Sequence, residues 1–131
     1  MATAKKVWGG VSNALAFRTA VSSTTIHSSV IDLETNGYEG CLVTVEYDAN
    51  GTTDNLNAYI YPSLSATTSG SSVPDENAII SASFGNNKGV TQYSTIVVSD
   101  LSYFWVGLKS DGGTDTFASG VTVNPWRWDV T

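Results

Sequence analysis

The chain carries a single cysteine, Cys41, and a single histidine, His27. One cysteine excludes an internal disulfide and any thiolate-rich metal cage, so the fold must rest on packing alone. One histidine means that a Ser-His-Asp triad or a His-based metal site would have to be built around that side chain. Positive charge is also scarce: Lys5, Lys6, Arg18, Lys88, Lys109 and Arg127 stand against twelve acidic residues, for a net charge of −6. Scattered in this way, the six form no stripe that could neutralise a run of phosphates, which argues against nucleic acid as a partner. No apolar stretch approaches the roughly 20 residues of a membrane span, and the N-terminal region lacks the apolar run of a secretory signal. The expectation is a soluble protein without a membrane partner that starts at its own Met1. Ala-Glu-Lys-Leu runs are missing as well, while Ser and Thr make up about a quarter of the residues, which is strand and turn chemistry.

What is present reads as one nearly all-β domain. At 131 residues the chain can bury one proper core and has no room for a second. Residues 1–12 settle into neither apolar period and are expected to be an N-terminal arm, ordered only where a neighbour supplies contacts for Val7 and Trp8. Residues 13–131 then form the domain. Cys41, Val43, Val45 and Tyr47 alternate with Leu42, Thr44 and Glu46, the pattern of a half-buried strand. Asn50-Gly51 follows, and its tolerance of positive φ predicts a hairpin into a strand at about 55–61 with Leu56, Ala58 and Ile60 facing inward. Residues 62–74, Pro-bounded and polar, read as a long exposed loop.

Further on, Ala78, Ile80, Ala82 and Phe84 alternate, and the Gly- and Asn-rich stretch 85–89 predicts another hairpin into a strand from Tyr93 to Val98. Asp100-Leu101-Ser102 is a turn, after which Phe104, Val106 and Leu108 face opposite to Tyr103, Trp105 and Lys109. Two last strands are expected at about 115–123 and over Trp126–Val130. Weak candidates at 14–21 and 25–33 bring the total to about eight or nine short strands, the spacing of an antiparallel β-sandwich or jelly roll.

Residues able to do chemistry are few. His27 has no triad or ligand partners around it in sequence, and Cys41, among Leu42, Val43 and Val45, is an inert small hydrophobe. Asp48, Asn50 and Asp54 around Gly51, and Asp111 with Asp115, offer oxygen atoms to calcium. An EF-hand loop starting at Asp48 would need Gly at its sixth position and Glu at its twelfth, whereas Thr53 and Tyr59 stand there. Turn conformation accounts for these residues without a metal. Asp75-Glu76 lies in a polar loop without apolar neighbours to raise a pKa. The expectation is no catalytic residue, no metal and no cofactor.

The aromatic residues are the remaining signal. Trp126 and Trp128 are expected in the core, whereas Tyr59, Tyr61, Tyr103 and Trp105 each occupy the strand face opposite an aliphatic row. Aromatics on an outer sheet face serve either as a protein interface or as a platform for stacking sugars, and a protein interface is the preferred reading.

Thr53-Asp54-Asn55-Leu56, Tyr61-Pro62-Ser63, Tyr103-Phe104-Trp105-Val106-Gly107-Leu108, Gly113-Thr114-Asp115-Thr116 and Trp126-Arg127-Trp128 together resemble small virion proteins of tailed bacteriophages: head decoration (cement) proteins, head fibres or small tail proteins. The resemblance covers about residues 38–130 and includes no catalytic signature. It implies a β-sandwich made in a host cytoplasm that decorates or stabilises a capsid or tail. Its partners would be the major capsid protein or another virion protein, and copies of itself, a trimer being favoured. The alternative is a carbohydrate-binding or adhesin module stacking sugars on Tyr103 and Trp105.

Overall fold

The computed structural model describes residues 3–49, 55–63, 78–85, 90–111 and 117–130. In chain order their strands are β1 (Ala4–Trp8), β2 (Ser12–Val21), β3 (Ile26–His27), β4 (Ile31–Asp32), β5 (Gly40–Ala49), β6 (Leu56–Pro62), β7 (Ile80–Phe84), β8 (Thr91–Ser99), β9 (Tyr103–Ser110) and β10 (Phe117–Val130). No helix occurs among the described residues. One sheet runs β8-β5-β10, with β2 and β1 sharing the far edge of β10; the other runs β7-β6-β9, with β3 and β4 sharing the far edge of β9. All the pairings are antiparallel.

The pairings nest. β2 meets β10, β3 and β4 meet β9, β5 meets β8, and β6 meets β7, as in one long hairpin rolled up so that β10 also meets β5 and β9 also meets β6. This is the jelly-roll form of a β-sandwich. It corrects two expected hairpins, because β5 and β6 lie in different sheets, and so do β7 and β8. Apolar alternation looks the same whether a strand turns back within its sheet or crosses to the facing one, so sequence pattern could not separate the two. Residues 50–54, 64–77 and 86–89, which take in most of the expected loop at 62–74 and of the two expected turns, lie outside the described residues.

The inward rows are those that alternation indicates. From one sheet come Cys41, Val43, Val45 and Tyr47 of β5, Ile96 and Val98 of β8, and Phe117, Val121 and Val123 of β10; from the other come Leu56, Ala58 and Ile60 of β6 and Phe104, Val106 and Leu108 of β9. Ile80, Ala82 and Phe84 of β7 pack against them. Tyr47 closes one end, its ring stacked 5.9 Å from Phe84 and its hydroxyl donating to the carbonyl of Gly85 at 2.7 Å.

The two final strands expected from sequence are one, because β10 runs without interruption from Phe117 to Val130. Pro125 lies within it, and the carbonyl of Pro125 accepts from the Gly9 amide at 2.8 Å. In an extended strand the N–H and C=O of one residue point to the same edge, so the donor Pro125 lacks would also have faced this edge. Here, at 9–11, the chain leaves the ladder between β1 and β2.

Cys41 is fully buried, and burial pushes its thiol from the ordinary 9.0 up to about 12. The unfolded thiol ionises first. The stability conferred by a protonated Cys41 is therefore complete below pH 9 and is lost as the pH rises toward 12. Cys41→Ala is expected to flatten this alkaline decline when the urea midpoint is followed against pH, and the native thiol should resist alkylation at neutral pH until the protein unfolds. Rapid labelling of the folded protein would contradict the buried placement.

Candidate protein-interaction surface

The last four residues of β10 run past the end of β5, whose final pair with it is Gly40 opposite Trp126. Among the described residues only β1 accompanies this overhang, in the register Ala4 to Val130, Lys5 to Asp129, Lys6 to Trp128, Val7 to Arg127 and Trp8 to Trp126. The result is a two-stranded ribbon extending one corner of the sandwich. β1 is thus ordered by its own chain, which corrects the expectation of an arm that waits for a neighbour. Its backbone finds a ladder in the overhanging strand, although its side chains have little core to enter: only Val7 is part-buried.

One face of the ribbon is aromatic. Trp8 is 45% and Trp128 51% exposed, and the Trp126 and Trp128 rings meet edge to face at 5.4 Å. Lys6 Nζ stands 4.3 Å from the Trp126 ring centre, 5.5 Å from Trp8 and 5.7 Å from Trp128, so a cation–π contact holds the indoles as one group. The Trp126 ring lies across Gly40, where an added Cβ would come within 2.9 Å of its Nε1. The expected core placement of Trp126 and Trp128 is therefore corrected: Trp126 pairs with Gly40 on the parity of Thr44 and Thr122, not on that of Val121 and Val123, so both indoles leave β10 on its outer face. The ribbon holds three of the six basic residues, Lys5, Lys6 and Arg127, and one of the twelve acidic ones, Asp129, a formal charge of +2 on a chain of −6.

The other expected contact residues behave differently. Tyr61 is fully buried and Trp105 is 3% exposed, although both point away from the core. Gly107 is the reason. Having no Cβ, it leaves room for the Tyr61 ring to lie on the β9 backbone, where an added Cβ would stand 2.7 Å from that ring. Tyr61 then stacks on Trp105 at 6.0 Å and meets the His27 ring at 5.4 Å. Tyr61 and Trp105 are thus withdrawn from any docking or sugar-stacking role. Tyr59 and Tyr103 remain half-buried. Loss of water contact first, then the charges of Glu34 and Asp32, raise the Tyr103 hydroxyl above its ordinary value. Of the six residues singled out in the sequence, only Trp8 belongs to a surface patch with exposed aromatic area; Val7, next along the strand, points to the other face of the ribbon with Arg127. Lys6, Trp126 and Trp128 complete that patch; the two alternating segments carry them on one parity, but their pairing is not readable from either alone.

Asp32 is held below the usual carboxylate range by Thr35, whose hydroxyl and amide donate to it at 2.5 and 3.0 Å; this is a turn lock. Among the described residues no three His, Cys, Asp or Glu side chains cluster as metal ligands do. Asn50, Asp54 and Asp115, and the pair Asp75-Glu76, lie outside the described residues.

No protein-family model matches the chain, and no curated protein matches it. Among solved structures it resembles a protein of Bacillus endospore appendages, described as disulfide-linked pili, with a TM-score of 0.45 and 9% identity over 95% of this chain and 87% of that one. At that TM-score the likeness carries no argument, and the jelly-roll assignment stands on this chain's own strand pairing. Cys41, buried in the core, presents no group for a disulfide between copies.

Proposed function

We propose that this chain is a non-enzymatic structural subunit that attaches to a larger protein assembly through the aromatic, basic face of the β1–β10 ribbon. The observation that carries this reading is the group of Trp8, Trp126, Trp128 and Lys6 held at a free corner of the sandwich. Large rigid rings with a polar tip lose little entropy on binding and dominate protein interfaces, Trp above all. A ribbon of +2 on a chain of −6 favours an acidic or neutral receiving surface.

The setting we propose is the surface of a tailed-bacteriophage particle, as a head or tail decoration protein made in the host cytoplasm and assembled beside copies of itself. The sequence segments that resemble phage virion proteins support this setting. Jelly rolls recur in viral shells, an analogy of fold that does not by itself assign a role. Of the two rings of the sugar-stacking alternative, Trp105 is buried and Tyr103 half-buried, which favours the protein-interface reading.

The test is occupancy on purified particles depleted of the native copy. Wild-type protein should restore occupancy. Trp128→Ala should fold normally and bind roughly 30-fold more weakly if its ring fills a pocket worth about 2 kcal/mol, and Trp8→Ala combined with Trp128→Ala should leave the particles bare. Full occupancy by the folded double variant would overturn the ribbon as the attachment element.

A further inference from the structure

β8 forms an edge of the sandwich, and nothing in its sequence protects it. Exposed edge strands in soluble proteins usually carry Lys, Pro, a bulge or an inward charge that blocks pairing with another chain. Thr91–Ser99 reads Thr-Gln-Tyr-Ser-Thr-Ile-Val-Val-Ser, with neither charge nor proline, and its nine pairs with β5 show no shift of register. The edge of the other sheet, β7, has only five residues.

The phase of the ladder is set at its end. The Asp100 amide donates to the Glu39 carbonyl at 3.2 Å, so the Ser99 carbonyl, on the opposite side of that peptide plane, points away from β5. Alternation then sends the N–H and C=O groups of Thr91, Tyr93, Thr95, Val97 and Ser99 off the edge, where no strand meets them among the described residues. The side chains of the same five residues lie on the outer face, with Tyr93 65% and Val97 64% exposed. Tyr93 is steadied by its hydroxyl, which donates to Glu46 at 3.2 Å, and Thr95 by a hydroxyl contact to Thr44, also at 3.2 Å.

We propose that this edge pairs, antiparallel, with the β8 edge of a second copy of the chain about a two-fold axis through Thr95. The inference extends the reading of the chain as an assembly subunit by naming one partner, itself, and one surface. Of the symmetric registers open to this strand, that one alone overlaps its whole length. All nine residues are paired, and Tyr93 falls opposite Val97 of the second copy, Thr95 opposite Thr95, and Thr91 opposite Ser99. Aromatic with β-branched and threonine with threonine are favourable cross-strand neighbours, and no charge on either strand faces another. That matters for two chains of −6, which elsewhere on their surfaces repel. The Thr122–Thr44–Thr95 row of each copy joins its symmetry mate, and one antiparallel sheet spans both. An edge seam is smaller than the roughly 1,200–2,000 Å² of a stable complex. The pair therefore forms at high concentration or when copies are held side by side, and salt that screens the net charge strengthens it. Attachment through the basic ribbon should respond to salt in the opposite sense.

The experiment uses the isolated full chain, with Cys41 buried and silent. Thr95→Cys, at an exposed position, should form a disulfide dimer under mild oxidation, because residues facing each other in such a ladder have Cα atoms about 5.5 Å apart, within disulfide reach. Tyr93→Cys alone should not cross-link, yet should do so when mixed with Val97→Cys. Val97→Lys should remain monomeric by sedimentation at millimolar concentration, where the wild type dimerises more as salt is raised. Cross-linking of Thr95→Cys no greater than that of Tyr93→Cys alone, or a wild type that stays monomeric throughout, would overturn the pairing. The Trp8→Ala, Trp128→Ala protein should still cross-link through Thr95→Cys, so failure of the ribbon and failure of the edge are read separately.

Discussion

Val43→Asp and Phe104→Asp are each expected to abolish folding, whereas Thr44→Asp, one residue along from the first, should leave a folded and soluble protein. Val43 and Phe104 are fully buried from opposite sheets, and nothing in the apolar cluster around them could pair with a carboxylate. An unpaired buried charge costs several kcal/mol, comparable with the whole stability of about 5–15 kcal/mol expected of a domain. Thr44 lies on the outer face, opposite Thr95 and Thr122, where a carboxylate keeps its water. Circular dichroism and urea unfolding of the three variants decide the matter. Tolerance of Val43→Asp with loss of Thr44→Asp would put the register of β5 out by one residue.

The second large effect concerns residues whose role the fold reversed. Trp105→Ala and Tyr61→Ala should each cost about 3–5 kcal/mol, the range for emptying a buried aromatic site, and lower the thermal midpoint by roughly 10–20 °C in a domain of this size. Trp128→Ala, removing a ring of equal size from the ribbon, should cost under about 1 kcal/mol, since half of it is in water already. If Trp105→Ala left the midpoint unmoved while weakening attachment to a partner, its side chain would be a contact residue after all. Tyr61 and Trp105 are mutual neighbours, so the two losses should not add.

Much of this architecture was legible in the residues. Cys41 to Tyr47, Leu56 to Ile60 and Phe104 to Leu108 alternate so regularly that their inward faces followed from period alone, and Asp100, at a φ of 62°, ends its strand where the turn residues said it would. The surface was harder to read. Tyr61 and Trp105 sit on the outward parity, as expected, but parity says which side of the sheet a ring leaves from and not whether it stands up or lies down. That depended on Gly107, a neighbour in space contributed by the adjacent strand. Lys6 and Trp128, 122 positions apart in the sequence, belong to one site only because β1 is laid against the overhang of β10.

The sequence by itself determined the inward and outward faces of β5, β6, β7 and β9, because side-chain alternation is a property of the strand's own backbone and needs no knowledge of its partner. It also excluded an internal disulfide, since there is only one cysteine. The tertiary structure alone decided which strands are neighbours, because apolar alternation is indifferent to whether a chain turns within a sheet or crosses to the facing one. It decided as well which aromatic rings are solvated. β10 continues past Gly40, where β5 starts, to Val130, and carries Trp126 and Trp128 on the outer face beside β1, where Trp8 and Lys6 join them and half of the Trp128 ring meets water.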